Sequence, residues 1–344
     1  MIERRLLLER LGRAASALFA AALLLFALWP WIVPRKRART FVFYGFSILG
    51  DAMNGGIFPA FQELWQRETG ERVEFTGSFA GSGTITNQIA LGSPADAAIV
   101  ALEPDADRLA AAGMTPAGSW HSLPFRGIVN RTPLVILVRP GNPKGIHDFG
   151  DLAKPGVRIV HPDPLTSGGA NWAILAEYGA GVRRDPLLRS AGHDLLLGIW
   201  RNVIAQASSA RAARTQFENG FGDALVADEQ EAVWDRSRGL LKSEVVYPRS
   251  TILSEHTLVL ISNNSTARRR ELAEAFARFL WSETAQRIFV RYGFRSVLEN
   301  LNDNPAFGAI ADPIRIEDLG GWKNATREIL EGVWRDRVLT EIPR

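Results

Sequence analysis

The chain has 344 residues, of which 46% are apolar and 22% are charged, a composition typical of a globular protein with one or two domains. Residues 1–39 carry eight Arg or Lys and two Glu, so the net charge of +3 hides an acidic body with 32 basic and 35 acidic residues. Such a body lacks the broad cationic surface that nucleic acids need, and we predict no nucleic-acid partner. The absence of cysteine excludes disulfides, thiolate catalysis and zinc–cysteine sites.

The N-terminus contains an export or membrane-anchoring signal. An apolar run over residues 14–33 is long enough to span a bilayer, and basic residues flank it on both sides. No small-x-small cleavage site precedes the second basic cluster, where Trp29, Pro30 and Trp31 stand instead. We therefore assign residues 1–39 to a signal peptide or signal anchor, and favour an uncleaved anchor that holds the body outside the cytoplasm. The flanking basic residues are Arg4, Arg5, Arg10, Arg13, Arg35, Lys36, Arg37 and Arg39.

The body begins with alternating strands and helices. Residues 41–46 are aromatic and β-branched, which predicts a buried strand. Apolar residues at helical spacing follow, from Ile57 to Trp65, and Gly70 supplies the C-terminal stop. This alternation predicts a doubly wound α/β sheet. The further elements predicted in this unit are a strand at 73–75, a helix at 85–91, a strand at 97–102 and a helix at 105–112.

A second α/β unit follows from residue 134. Its first strand is a continuous apolar run, and a turn at Gly141-Asn142-Pro143 separates this strand from the next helix. The C-terminal segment is predicted to be helical and rich in loops, and we find no internal repeat. The predicted elements are strands at 134–138, 157–160, 224–227 and 251–261, and helices at 148–153, 170–178, 210–217 and 268–280.

Three segments share one pattern, in which small hydroxyl or glycine residues separate a strand from the first turn of a helix. Free N–H groups and the positive end of the helix dipole attract anions at such a turn, and glycine lets an anion approach the backbone. A single Ser or Gly at a helix start is usually only a cap. Three such starts across two α/β units favour an anion site, because ligands in these folds lie beyond the carboxyl ends of the strands. The segments are residues 79–84, 166–170 and 208–211.

Familiar catalytic patterns are absent from the sequence. The glycines around Ser82 and Ser167 do not form the G-x-S-x-G turn of serine hydrolases, and no phosphate loop of nucleotide hydrolases occurs. The histidines are scattered without metal-ligand spacing. We therefore predict no catalytic residue, no metal site and no cofactor. The histidines are His121, His147, His161, His193 and His256.

Several further motifs occur in a fixed order along the body, and with them the sequence over residues 41–322 resembles the periplasmic sulfate- and thiosulfate-binding proteins of bacterial ABC importers. Their number and order make the resemblance specific. The motifs are Ala60-Phe61 with Trp65, Glu68-Thr69-Gly70, Gly81-Ser82-Gly83, residues 137–148 and 154–157, residues 163–172, Gly222-Asp223 and Gly320-Gly321-Trp322.

The resemblance implies a monomeric, extracytoplasmic protein that delivers its ligand to a membrane permease and, through it, to the ATPase. It implies a type II periplasmic-binding-protein fold, with two α/β lobes joined by two crossings. Lobe 1 would comprise residues 40–130 and 256–344, and lobe 2 residues 131–255. The ligand, sulfate or thiosulfate, would be held in the cleft by uncharged donors without a counter-ion. An enzyme on the same two-lobed scaffold is a distant alternative.

Five ligand-binding residues follow from the matched motifs. The resemblance implies that Ser82 presents its hydroxyl and backbone N–H from lobe 1. From lobe 2, Ser167, Gly168 and Gly169 would supply one hydroxyl and two N–H groups. Ala210 would supply a further N–H. These residues coincide with the three helix starts described above.

The sequence departs from the family pattern at two places. The loop over residues 46–48 replaces an Asp whose backbone N–H meets the ligand in the family, so we include Ser47 and Ile48 in the candidate site. The family's ligand tryptophan aligns with Asp228. An ionised carboxylate would repel sulfate but could accept a proton from hydrogen phosphate, which makes a protonated oxyanion the alternative ligand. Asp228 could instead face solvent or pair with Arg211 or Arg214.

Overall fold

The computed structural model describes residue 19 and residues 22–24, 38–263 and 266–342. The predicted anchor over residues 14–33 therefore lies almost entirely outside the described residues. Among the helices that are described, none combines the length and the apolarity needed to cross a bilayer.

The strands of the described chain are β1 (Arg39–Phe46), β2 (Val73–Ala80), β3 (Ala97–Val100), β4 (Ile128–Val138), β5 (Ile159–Pro162), β6 (Val203–Ala207), β7 (Ala224–Asp228), β8 (Glu244–Val246), β9 (Ser250–Leu260) and β10 (Asp312–Ile314). They follow the order β2-β1-β3-β9-β4-β7-β5-β6, with β10 beside β9 and β8 beside β4. β1 is parallel to β2 and β3, and β5 is parallel to β6 and β7. Each end of the sheet is thus a parallel α/β unit, as the alternation of elements predicts.

Helices connect these strands. The main ones are α1 (Phe58–Thr69), α2 (Ser82–Ala90), α3 (Glu103–Ala111), α4 (Phe149–Leu152), α5 (Gly168–Arg184), α6 (Ala191–Trp200), α7 (Ala210–Glu218), α8 (Glu229–Ser237), α9 (Ala267–Leu280), α10 (Glu283–Arg291) and α11 (Ala325–Val338). Shorter helical turns lie at Ser47–Leu49, Gly50–Ala52, Met53–Ile57, Ser119–Ser122, Pro124–Gly127, Glu299–Leu301, Ile316–Leu319, Gly321–Asn324 and Leu339–Glu341.

Two long strands join the lobes. In β4, residues 128–133 pair with β9, whereas residues 134–138 pair with β7 of the second lobe. In β9, residues 257–260 pair with β3 of the first lobe. Each strand therefore starts in one lobe and ends in the other, which confirms the prediction of two α/β lobes joined by two crossings.

The C-terminal segment packs against the second lobe. Its apolar residues Ile329 and Trp334 belong to the same buried core as Trp172 and Trp200, and the rings of Trp200 and Trp334 lie 5.2 Å apart. Strand β10 also pairs with the start of β9, which lies in that lobe. The resemblance implies that all of residues 256–344 belong to lobe 1. Because α11 buries its apolar face on lobe 2, we propose that lobe 2 also includes residues 312–342.

Candidate functional site

A small enclosed cavity lies between the lobes, at the carboxyl ends of strands from both. Its volume, taken as the space open to the centre of a water-sized sphere, is only about 10 Å³. The lobes are therefore closed around it. Seven of the eight predicted site residues line it, and Ile48 does not, because its side chain is buried in the core of the first lobe. The lining consists of Phe46, Ser47, Gly81, Ser82, Ala101, Ser167, Gly168, Gly169, Ala210, Asp228 and His256.

Three helix N-termini converge on this cavity. Helix α2 begins at Ser82, α5 at Gly168 and α7 at Ala210, and all three residues are in the lining. The N–H groups of a first helical turn have no partner within the helix, and the helix dipole adds positive potential at that end. The arrangement therefore presents backbone donors from both lobes to one point.

The hydroxyl of Ser82 is committed inside the first lobe. It donates to Asp105 Oδ2 at 2.5 Å and accepts from the N–H of Ala101 at 2.9 Å. A hydroxyl carries one hydrogen, so this group has none left for a ligand. The structure thus differs from the expectation that Ser82 presents its hydroxyl, and only its backbone N–H is available to the cavity.

The hydroxyl of Ser167 is available. Ser167 precedes α5, yet its side chain makes no capping hydrogen bond, and the residue is 3% exposed. Ser209 behaves differently, since its Oγ accepts from the N–H of Ala212 at 3.2 Å and caps α7. At α7 the group left for the cavity is therefore the backbone N–H of Ala210, the first residue of the helix.

Close backbone contacts hold the two lobes together around the cavity. The N–H of Gly83 donates to the carbonyl oxygen of Thr166 at 3.1 Å, and Trp172 Nε1 donates to that of Ala101 at 2.7 Å. The space at Gly168 admits no side chain, because a β-carbon there would lie 2.6 Å from Ala101 Cβ. Glycine is required here for the approach of the lobes rather than for an unusual φ angle.

A polar contact joins the lobes outside the cavity. Asp51 Oδ2 accepts from Arg211 Nη2 at 3.1 Å and from Trp234 Nε1 at 3.2 Å. The N–H of Arg211 also donates to Ser47 Oγ at 3.4 Å, which leaves the hydroxyl hydrogen of Ser47 free to face the cavity.

Asp228 faces the cavity as a buried, unpaired carboxyl. It is 4% exposed and makes no ion pair among the described residues, while Arg211 and Arg214 both pair with Glu231. Neither the solvent-facing nor the arginine-paired alternative is therefore found. Burial, and secondarily the charge of Glu231, raises the pKa of Asp228 to about 8.

His256 lines the cavity without adding charge. Its Nδ1 lies 2.6 Å from Asn130 Oδ1, and burial lowers the pKa of its imidazole to about 3. The lining, all of which is described, contains no Lys or Arg. No sequence signal marks His256 as a site residue, because it lies in the middle of a crossing strand. Across the described residues, no group of three or more His, Asp or Glu could hold a metal ion.

A wider cleft elsewhere between the lobes has a different character. It is lined by acidic and basic residues together, and its Arg131 already pairs with Glu255 at 2.9 Å. Of the main helices given above, only α3 begins in this cleft, and its first residue is Glu103 rather than a glycine or serine. We therefore regard the small cavity as the functional site.

Two lobes closed over a cavity lined by helix N-termini define a two-lobed solute-binding protein. A family model described as bacterial extracellular solute-binding protein matches residues 52–295, and the chain belongs to this family. It is accordingly an extracytoplasmic binding protein of a bacterial ABC importer and not an enzyme.

Individual relatives agree with this assignment and confirm the resemblance stated above. The chain is 32% identical to the sulfate-binding protein of Synechococcus elongatus over 286 residues, which are 82% of this chain and 81% of the relative. It is 31% identical to the thiosulfate-binding protein of Escherichia coli over 275 residues, 77% of this chain and 80% of the relative. The solved structure of the sulfate-binding protein SubI from Mycobacterium tuberculosis matches with a TM-score of 0.77 and 30% identity, covering 84% of this chain and 99% of that one.

Proposed function

We propose that the protein captures sulfate, or thiosulfate, between its lobes and delivers it to the permease and ATPase of an ABC importer. The observation that carries this proposal is the convergence of three helix N-termini on one enclosed cavity whose described lining contains no Lys or Arg. The names of the relatives similar to this chain support the same ligands.

The proposed donors suit a dianion that has lost its water. They are uncharged, and hydrogen bonds to an ionised acceptor are roughly twice as strong as neutral ones. Three helix ends, each equivalent to about half a positive charge, together offset much of a charge of −2. The donors are the backbone N–H groups of Ser82, Gly168, Gly169 and Ala210 and the hydroxyls of Ser47 and Ser167.

The carboxyl of Asp228 in the cavity lining is the reason to consider phosphate as a second candidate ligand. An ionised carboxylate in the lining would accept a hydrogen bond from a protonated oxyanion and would repel sulfate. Burial disfavours the ionised form of Asp228, which removes the main argument for phosphate. We therefore place sulfate first.

Calorimetric titration of the purified protein tests the function. We expect clear binding isotherms for sulfate and thiosulfate, and weaker binding of phosphate and molybdate. A phosphate isotherm without any heat from sulfate would overturn the proposal and favour the second candidate.

We further propose that residues 14–33 remain as a membrane anchor and that the body acts as a monomer. The support is the apolar run between two basic clusters without a small-x-small site. Mass spectrometry of the exported protein tests the anchor, and a mature N-terminus between residues 34 and 41 would contradict it.

A further inference from the structure

The side chain of Asp228 does not cap the helix that follows it. Asp228 is the residue immediately before α8, where a carboxylate usually accepts an N–H of the first turn. Here the N–H of Gln230 donates instead to Thr132 Oγ1 at 3.0 Å, and Asp228 makes no capping bond. Its Oδ2 lies 3.5 Å from the position that a β-carbon on Gly169 would take, on the cavity side.

Among the described residues, no cation is paired with this carboxyl. On α8, Glu231 is acidic and raises the cost of ionising Asp228. On α7, Arg211 and Arg214 contact Glu231 at 3.2 and 3.4 Å and not Asp228. On β9, His256 is neutral. The other acids near this end of the cavity already have basic partners: Asp105 with Arg108, and Glu229 with Arg295.

We propose that Asp228 binds the anion in its protonated form, donating its O–H to an oxygen of the ligand, so that capture of one sulfate is coupled to one bound proton. This inference rests on the proposed sulfate function. The ionised form would place a negative charge against a dianion, and even a single pair of unit charges about 4 Å apart costs about 4 kcal/mol at the effective dielectric near a protein surface. The neutral carboxyl instead adds a donor, the only group that sulfate can use, since sulfate has no hydrogen to offer.

Binding of sulfate and protonation of Asp228 favour each other. With the lobes closed, burial and secondarily the charge of Glu231 raise the pKa of Asp228 to about 8, so the empty site holds this proton up to about pH 8. A bound dianion stabilises the proton, so the pKa in the complex is higher still. Sulfate affinity is therefore constant below about pH 8 and falls by up to about tenfold per pH unit above it, because the proton must then be taken from solvent.

Calorimetry of the whole protein at about pH 6 and about pH 9, in buffers of different ionisation enthalpy, measures both quantities. We expect sulfate affinity roughly tenfold lower at the higher pH, with nearly one proton taken up per sulfate there and almost none at the lower pH. Sulfate remains a dianion at both, so it contributes no titration of its own.

Asp228→Asn separates the carboxyl from other groups. Its amide donates at every pH, so we expect sulfate affinity independent of pH and no proton uptake. The control is Glu177→Gln, which alters a buried acid that contacts Trp200 in the second lobe and does not line the cavity, and which should keep the fall with pH.

Each outcome has a distinct meaning. Sulfate affinity that stays flat in the wild type, without proton uptake, overturns this inference and leaves the sulfate function standing. A fall with pH that persists in Asp228→Asn also overturns it, since another group then titrates. Failure of the wild type to bind sulfate at either pH overturns the proposed function itself.

Discussion

Replacing Gly81 with alanine is expected to weaken sulfate capture severely, because the closed lobes leave no room for a β-carbon. The added carbon would overlap the carbonyl oxygen of Thr166 and lie 2.7 Å from that of Ser208. Both are backbone atoms of the second lobe and cannot rotate away. Overpacking of this kind costs up to about 3 kcal/mol at one contact, so with two contacts we expect an affinity loss of more than about 100-fold.

The same substitution should leave each lobe folded. Gly81 has φ −57° and ψ 141°, a conformation open to any residue, so alanine adds no backbone strain. The thermal midpoint of the ligand-free variant should match that of the wild type. Gly332→Ala, on α11 and outside the cavity lining, is the control and should bind normally. Normal sulfate affinity in Gly81→Ala would show that the ligand is not held in this closed arrangement.

Ser167→Ala is expected to weaken sulfate binding by about 1.5–3 kcal/mol, the value of a hydrogen bond to a charged group. This corresponds to roughly 10- to 150-fold in the dissociation constant. The hydroxyl makes no capping bond, so the free energy of unfolding should change little. Calorimetric titration beside an unfolding curve measures both.

Ser190→Ala is the matched control for this variant. Ser190 also precedes a helix, α6, without a capping bond, and it is not part of the cavity lining. Its substitution should leave sulfate affinity unchanged. Equal affinities in the two variants would remove Ser167 from the binding site.

Local patterns predicted most of the elements but not their full extent. Helix α5 was predicted at 170–178 and runs from Gly168 to Arg184, since propensity is weakest at helix ends. Strand β4 was predicted at 134–138 and begins at Ile128. Its first half contains Asn130, Arg131 and Thr132, which break the apolar run, and pairing with β9 holds it extended.

The candidate site, like the fold, could be predicted from local sequence patterns only in part. Its helix starts are local features, and seven of eight predicted residues meet at one cavity. The partner of the Ser82 hydroxyl is Asp105, and the hydroxyl that displaces Asp228 from its capping role belongs to Thr132, on another strand. These contacts join residues far apart in sequence, and side-chain direction at Ser82 and Asp228 depends on them. No local pattern could therefore give the role of either group.

Anomalous diffraction from crystals grown with selenate, the selenium analogue of sulfate, tests whether the small cavity holds the ligand. We expect a single selenium peak in the small cavity, within hydrogen-bonding reach of the N–H groups of Gly168, Gly169 and Ala210 and the hydroxyl of Ser167. A selenium peak in the wider cleft beside Arg126, Arg131 and Arg315, with the small cavity empty, would contradict it.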